Sequence, residues 1–385
     1  MAGMKKREVP KNKINPVKLR EARELRQLTL KEVSRQTKIS AQMISLYETN
    51  NASINFDNML KLYSIYGLPM AFYYKNSQIN HVRTQFYFRS FHSSTLQARK
   101  QAKLKATLVI EHIIDEVLPH VHIPDVDPLC ARLRSSAAIE SRKSKDNELD
   151  VEVMAKIIRR EWGLGLEPIN NLVRLLEQKG FIIISMDIDK RLDAFSFWDN
   201  QRPYIVVSTK TTAVRRRMSI AHELCHLLFH DAEEVEHELK QLEIEAAKFA
   251  GCFLMPEESF SVAANDTSLK SLLLLKPIWK VSVQAMVMRC KEIGKISDGR
   301  YLYLEKEISR QHWRKSEPYD DMILIEEPVI LKQVLNLLVD KKIYSKENLL
   351  NKIALDSDSI IEACRLDSDF FDLNKGNEII TLSQT

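Results

Sequence analysis

Apolar side chains recur along this chain in two rhythms, and the change between them divides it. Over residues 15–74 the spacing is helical throughout. Pro16 opens a first helix with Val17, Leu19 and Leu25 among its apolar positions. Thr29, with Glu32 three residues on, makes a capping box for a second short helix, Leu30 to Thr37. The break Lys38-Ile39-Ser40 follows, and Ser40 caps a third helix, Ala41 to Glu48. Asn50-Asn51 turns the chain into a fourth, Asp57 to Tyr66, which buries Leu60 and Ile65 and ends at Gly67. Two short helices across a tight break, the second small or polar on its outer face, are what entry into a DNA major groove requires.

The pattern is less regular over residues 76–150. His81 to His92 mixes aromatics with Arg83 and Arg89, Thr95 to Val117 reads as one long helix, and Ser135 to Asp150 reads as a charged linker. From Val151 the rhythm sharpens. Val153 to Trp162 is an amphipathic helix stopped at Gly163 and Gly165, and Pro168 starts another that ends at Gly180. Three strand-like runs follow, Phe181 to Met186, Ala194 to Trp198 and Tyr204 to Ser208, with turn signals between the last two. Helices then span Thr212 to His230 and Glu236 to Leu254, ended by Pro256. A small helical segment covers 268–312 and a helical tail 323–370. No internal repeat is visible.

Composition narrows the classes. Of 385 residues 44% are hydrophobic and 28% charged, ordinary for a soluble globular chain, and the length suits two or three domains. Nine glycines and no G-x-G-x-x-G or G-x-x-x-x-G-K-[ST] string argue against a phosphate-loop enzyme. No apolar run approaches a membrane span, and the basic Met1 to Pro10 leads into no signal-like stretch. Five scattered cysteines without a C-x-x-C pair fit reduced thiols in a cytoplasm. Residues 1–75 hold 14 Lys/Arg against 6 Asp/Glu, while the remainder is slightly acidic, so the front of the chain is the part suited to a polyanion.

The chemistry concentrates in His222-Glu223-Leu224-Cys225-His226. Four residues apart on a helix, two imidazoles differ by only about 40° in direction and can take two corners of a zinc tetrahedron. Glu223 beside them can take a proton from a water that such an ion activates. A third ligand is offered by the next helix. Glu243 shares a face with Ala246, Ala247, Ala250 and Leu254, small enough for close approach to the His helix. Glu245, on the face of Phe249 and Cys252, is the second choice. His230, four beyond His226, reads as a supporting or packing residue, Cys225 as a small buried thiol, and His112, His120 and His122 as surface residues. In the front unit, Ser40, Gln42, Met43 and Ser45 are the candidate DNA-contacting residues.

The run Arg215-Arg-Arg-Met-Ser-Ile-Ala-His-Glu-Leu-Cys-His-Leu-Leu-Phe-His230, followed by Glu243-Ile-Glu-Ala-Ala-Lys-Phe-Ala-Gly-Cys-Phe-Leu-Met-Pro256, resembles the ImmA/IrrE family of metallopeptidases. Leu19-Arg-Glu-Ala-Arg through Ile44-Ser-Leu-Tyr-Glu48 resembles the Xre/Cro helix-turn-helix family. The segments around Trp162-Gly-Leu-Gly, Asp193 to Asp199 and Trp313 to Pro318 also resemble chains that join the two. The resemblance implies a zincin-like fold with a short antiparallel sheet against the His helix. It implies His222, His226 and Glu243 as zinc ligands, with Glu223 as catalytic base. Three positions depart from the family pattern: Ala247 stands for an Asn, Cys225 for a Gly, and Leu30 for a Gln that often contacts phosphate.

The expected fold is therefore mostly α with a small antiparallel sheet. Its parts are a helix-turn-helix domain over 1–75, a helical linker region over 76–150, an α+β metallopeptidase domain over 151–318 and a helical C-terminal tail over 319–385. The expected function is a cytoplasmic, DNA-binding regulator whose zinc-dependent endopeptidase cleaves a partner repressor. A homodimer would read a two-fold operator. The alternatives are a regulator whose zinc domain senses a ligand or stress without proteolysis, and the antitoxin of a toxin–antitoxin pair. Glu223 favours the protease, since binding zinc alone needs no base.

Overall fold

The computed structural model describes residues 14–75, 86–88, 95–134, 150–230 and 239–372, with backbone only at 86–88 and 239. The linker expected over Ser135 to Asp150 lies outside them apart from Asp150, whose side chain caps the helix Val151–Glu161.

Four helices form the front unit: α1 (Pro16–Leu25), α2 (Leu30–Thr37), α3 (Ala41–Glu48) and α4 (Phe56–Tyr66). Asn15 caps α1 and Ser40 caps α3; at α2 both halves of the Thr29–Glu32 capping box form. Gly67, at φ +60°, closes α4 in the left-handed conformation that a Cβ would strain. Leu19, Ala22, Val33, Ile44, Tyr47, Met59, Leu62 and Tyr66 make the core. The expectation that Leu60 is buried fails. Met59, Leu62 and Tyr66, at spacings of three and four, take the inner face, and Leu60, about 100° round from Met59, is exposed.

The long helix α5 (Leu96–Val109) runs on through a wide π turn, Ile110–Ile114, to Val117, over the span expected for it. It receives α1 on one side and, near the π turn, the tail helix Lys346–Ile353. At that junction His112 is fully buried, against the surface position expected for it. Its Nδ1 lies 2.9 Å from the Ile353 carbonyl and its Nε2 3.1 Å from Lys18 Nζ, which also pairs with Glu111 at 2.9 Å. His120 and His122 are exposed as expected.

Four strands form one sheet in the order β1 (Phe86–Phe88), β3 (Ala194–Asp199), β4 (Arg202–Ser208), β2 (Ile182–Met186). The sheet is small but mixed rather than wholly antiparallel: β1–β3 and β3–β4 are antiparallel, and β2–β4 is parallel, with Ile184 opposite Val206. Asn200 and Gln201, both at positive φ, make the tight β3–β4 hairpin. The stretch from Asp187 to Asp193 is too long for such a turn, so β3 skips a place and β4 fills the gap beside β2. The sheet divides two cores. Ile182, Ile184, Phe195, Phe197, Tyr204 and Val206 face α5, the front unit and the tail; Ile183, Ala194, Ile205 and Val207 face the His helix. The helix expected from Pro168 begins only at Leu172. Asn171 caps it, and the Glu326 carboxylate accepts from the amides of Leu172 and Val173. No single helix among the described residues is long and apolar enough to cross a membrane.

Candidate metal centre

The His helix, Ala213–Phe229, is capped by Thr212 and buried along nearly its whole length. Ile220, Ala221, Leu224, Leu227 and Leu228 lock it between sheet and neighbours, so His222 and His226 cannot turn to water. Two of its arginines are tied inward, Arg217 to Glu326 and the Ile169 carbonyl, Arg216 to Glu327. The described part of the second helix, Leu239–Leu254, packs along it; Ala246 and Ala250 are fully buried there, while Ala247 is exposed. That close approach brings Glu243 over the two imidazoles.

His222 Nε2 and His226 Nε2 lie 3.1 Å apart. Each lies 3.4 Å from one oxygen of the Glu243 carboxylate. The three donor atoms fall within 4.8 Å of one another, the two histidines buried and Glu243 partly open to solvent. A tetrahedron of zinc bonds of about 2.0–2.1 Å has edges of about 3.3 Å, so the donor set fits Zn²⁺ in both element preference and spacing.

Glu223 is fully buried and turned toward the sheet, where the Ser196 hydroxyl donates to its Oε2 at 2.6 Å. Ser196 was not singled out from the sequence. Its signal was there: the two-residue period of β3 puts a lone hydroxyl on the apolar face that meets the His helix. Trp198, one step further on the same face, donates from Nε1 to the Leu227 carbonyl at 3.0 Å and fixes the helix against the strand. Glu245 does not join the three donors. Its Oε2 lies 3.3 Å from His230 Nε2, while His230 Nδ1 lies 2.8 Å from His226 Nδ1. Cys225 is buried behind the histidines, and burial pushes its thiol well above the usual range.

A cleft of about 630 Å³ lies between the two helices and the segment 313–320, one helical turn away from the centre, whose own residues do not line it. Met218, one turn before His222, and Ala247, one turn after Glu243, line it together with Ile244, Met288 and Trp313.

Residues 176–291, which hold three of the four strands, both helices and this centre, match the family described as the IrrE N-terminal-like domain, a peptidase family. Residues 18–76 match the helix-turn-helix domain family. The chain joins a helix-turn-helix domain to an IrrE-like domain. No curated protein matches it. Within the helix-turn-helix domain the candidate DNA contacts gather on α3. Gln42 and Met43 are exposed, Ser45 is half-buried, and the Ser40 hydroxyl accepts from the Met43 amide at 3.2 Å as the cap. Leu30, the departure at the start of α2, is half-buried and packs on the core. Arg23 grips Glu48 with two nitrogens, at 2.7 and 2.8 Å, and so fixes the end of α3 on α1. The helix-turn-helix domain docks on α5 through α1, which leaves the outer face of α3 to solvent.

Proposed function

We propose that the chain is a DNA-binding regulator that hydrolyses a peptide bond in a partner repressor, with zinc held by His222, His226 and Glu243. The observation that carries the reading is the convergence of two imidazole nitrogens and one carboxylate from two helices, with a further carboxylate, Glu223, buried next to them. When bound, zinc supplies Lewis acidity, lowering the pKa of water and polarising a carbonyl. Glu223 accepts the proton. The Ser196 hydroxyl holds one of its oxygens and aims it from a fixed strand. The cleft beside Met218 and Ile244, one helical turn from the centre, is where the substrate chain would lie. The helix-turn-helix domain brings double-stranded DNA as a second partner, read by Gln42, Met43 and Ser45, in a homodimer if the operator is two-fold. Five buried, unpaired thiols suit the cytoplasm, where we place the protein.

The test is incubation of the zinc-loaded chain with the repressor encoded beside it. The native chain is expected to cut that repressor. Glu223→Gln, at equal zinc content and equal fold, is expected to be slower by about 100-fold or more. Equal cleavage by both, or cleavage by neither, contradicts the proposal, and a regulator that senses without cutting then becomes the better account.

A further inference from the structure

We propose that His230 and Glu245 form a hydrogen-bonded relay behind His226 that fixes which ring nitrogen His226 turns to the metal. Both are positioning residues, and the inference rests on the zinc reading above. His222, His226 and His230 stand in a row at four-residue spacing, with successive ring centroids 4.8 Å apart. His230 ends the row because the backbone leaves the helix there, at φ −104° and ψ 139°. Its ring is thereby set on the far side of His226 from Glu243.

The protons in this row follow from the distances. His226 Nε2 faces His222 and Glu243, so that nitrogen must keep a lone pair for the metal. The proton of a neutral His226 is then on Nδ1, which lies 2.8 Å from His230 Nδ1. His230 Nδ1 must accept, so its own proton sits on Nε2, 3.3 Å from Glu245 Oε2, and the carboxylate accepts it. Gln241 Nε2 donates to the other Glu245 oxygen at 3.3 Å. This assignment fits the contacts from His226 through His230 to Glu245, with the Cys225 sulfur a weaker neighbour of His230 Nε2 at 4.0 Å, and it ends on a carboxylate buried with the histidines. A ligand histidine that donates its second N–H toward a carboxylate is held in orientation and made a stronger donor. Here the carboxylate acts through one intervening imidazole. The arrangement also gives two glutamates two residues apart different tasks: Glu243 faces the Nε2 side of the row, Glu245 the opposite end.

The test measures zinc affinity of the full chain by competition with a chelator, with a thermal melt to check the fold. His230→Leu fills the space but accepts nothing, and is expected to weaken zinc about 10- to 100-fold while stoichiometry stays at one. His230→Asn places an amide oxygen near the Nδ1 position and should recover most of that loss. Glu245→Gln, which keeps volume but removes charge, should fall between native and His230→Leu. Should His230→Leu bind as tightly as the native chain, the relay is wrong and the zinc reading stands. Equal loss in His230→Leu and His230→Asn reduces His230 to packing and also overturns the relay. A native chain that binds no zinc overturns the function proposed above and this inference with it.

Discussion

Among single residues, the proposed chemistry rests on three donor atoms. His222 and His226 each bring one Nε2, and Glu243 spans both at 3.4 Å. About one Zn²⁺ per chain is expected by elemental analysis, with none after His222→Ala/His226→Ala. Glu243→Ala should lose zinc far more than Glu245→Ala, because Glu243 faces both imidazole Nε2 atoms while Glu245 lies beside His230. Equal losses would move the third ligand. That the two imidazoles face one way was legible in the sequence because helical geometry alone puts residues four apart on one face; the approach of Glu243 depends on how the second helix packs, for which its small-residue face was the signal. Ser196 was legible only as a lone hydroxyl in the two-residue period of β3; its contact with Glu223 depends on which face of that strand meets the His helix. His112 was misread for a related reason: what buries it, Ile353 and Lys18, lies far away in the chain on either side.

At the scale of elements, the helices could be read because caps and periodicity are local, and Thr29, Ser40, Thr212 and Gly67 mark ends where the structure has them. The sheet order could not, because the place of β4 between β3 and β2 is decided by non-local pairing. The α1–α5 junction carries a test of its own. His112 is stacked on Phe72 and faced by Lys18, Lys75, Glu111 and the Ile353 carbonyl. Burial first, and then the positive charges of Lys18 and Lys75, depress its pKa to about 2 from an ordinary 6.5. Below pH 6.5 the unfolded chain therefore binds a proton that folded His112 does not, and folding weakens as pH falls from 6.5 toward 2. Glu21, whose carboxyl burial raises, acts in the opposite sense, so the comparison is between variants. Between pH 7 and 5.5 the native chain should lose about 1 kcal/mol more stability than His112→Gln, read from denaturant midpoints. Parallel pH profiles would mean that His112 is not held neutral.

At the scale of the whole molecule the charge is divided: residues 1–75 carry a net +8 and the rest a net −3. The helix-turn-helix domain is joined to the body by Lys18–Glu111, Lys75–Glu116 and Arg26–Asp356, and α3 is left outward. Binding to a two-fold DNA site should fall steeply as salt rises in a gel-shift or anisotropy titration. Gln42→Ala should weaken the chosen site more than random DNA, by about 1–3 kcal/mol if it reads a base. An intact chain that binds no DNA at low salt would remove DNA recognition from the account.

The measurement closest to the central claim is a census of new protein N-termini in cells that make the native chain or Glu223→Gln at equal levels. A cut in a repressor protein is expected with the native chain, absent with Glu223→Gln, and accompanied by derepression of the linked gene. A derepression that both chains produce alike, with no cut that depends on Glu223, would contradict it.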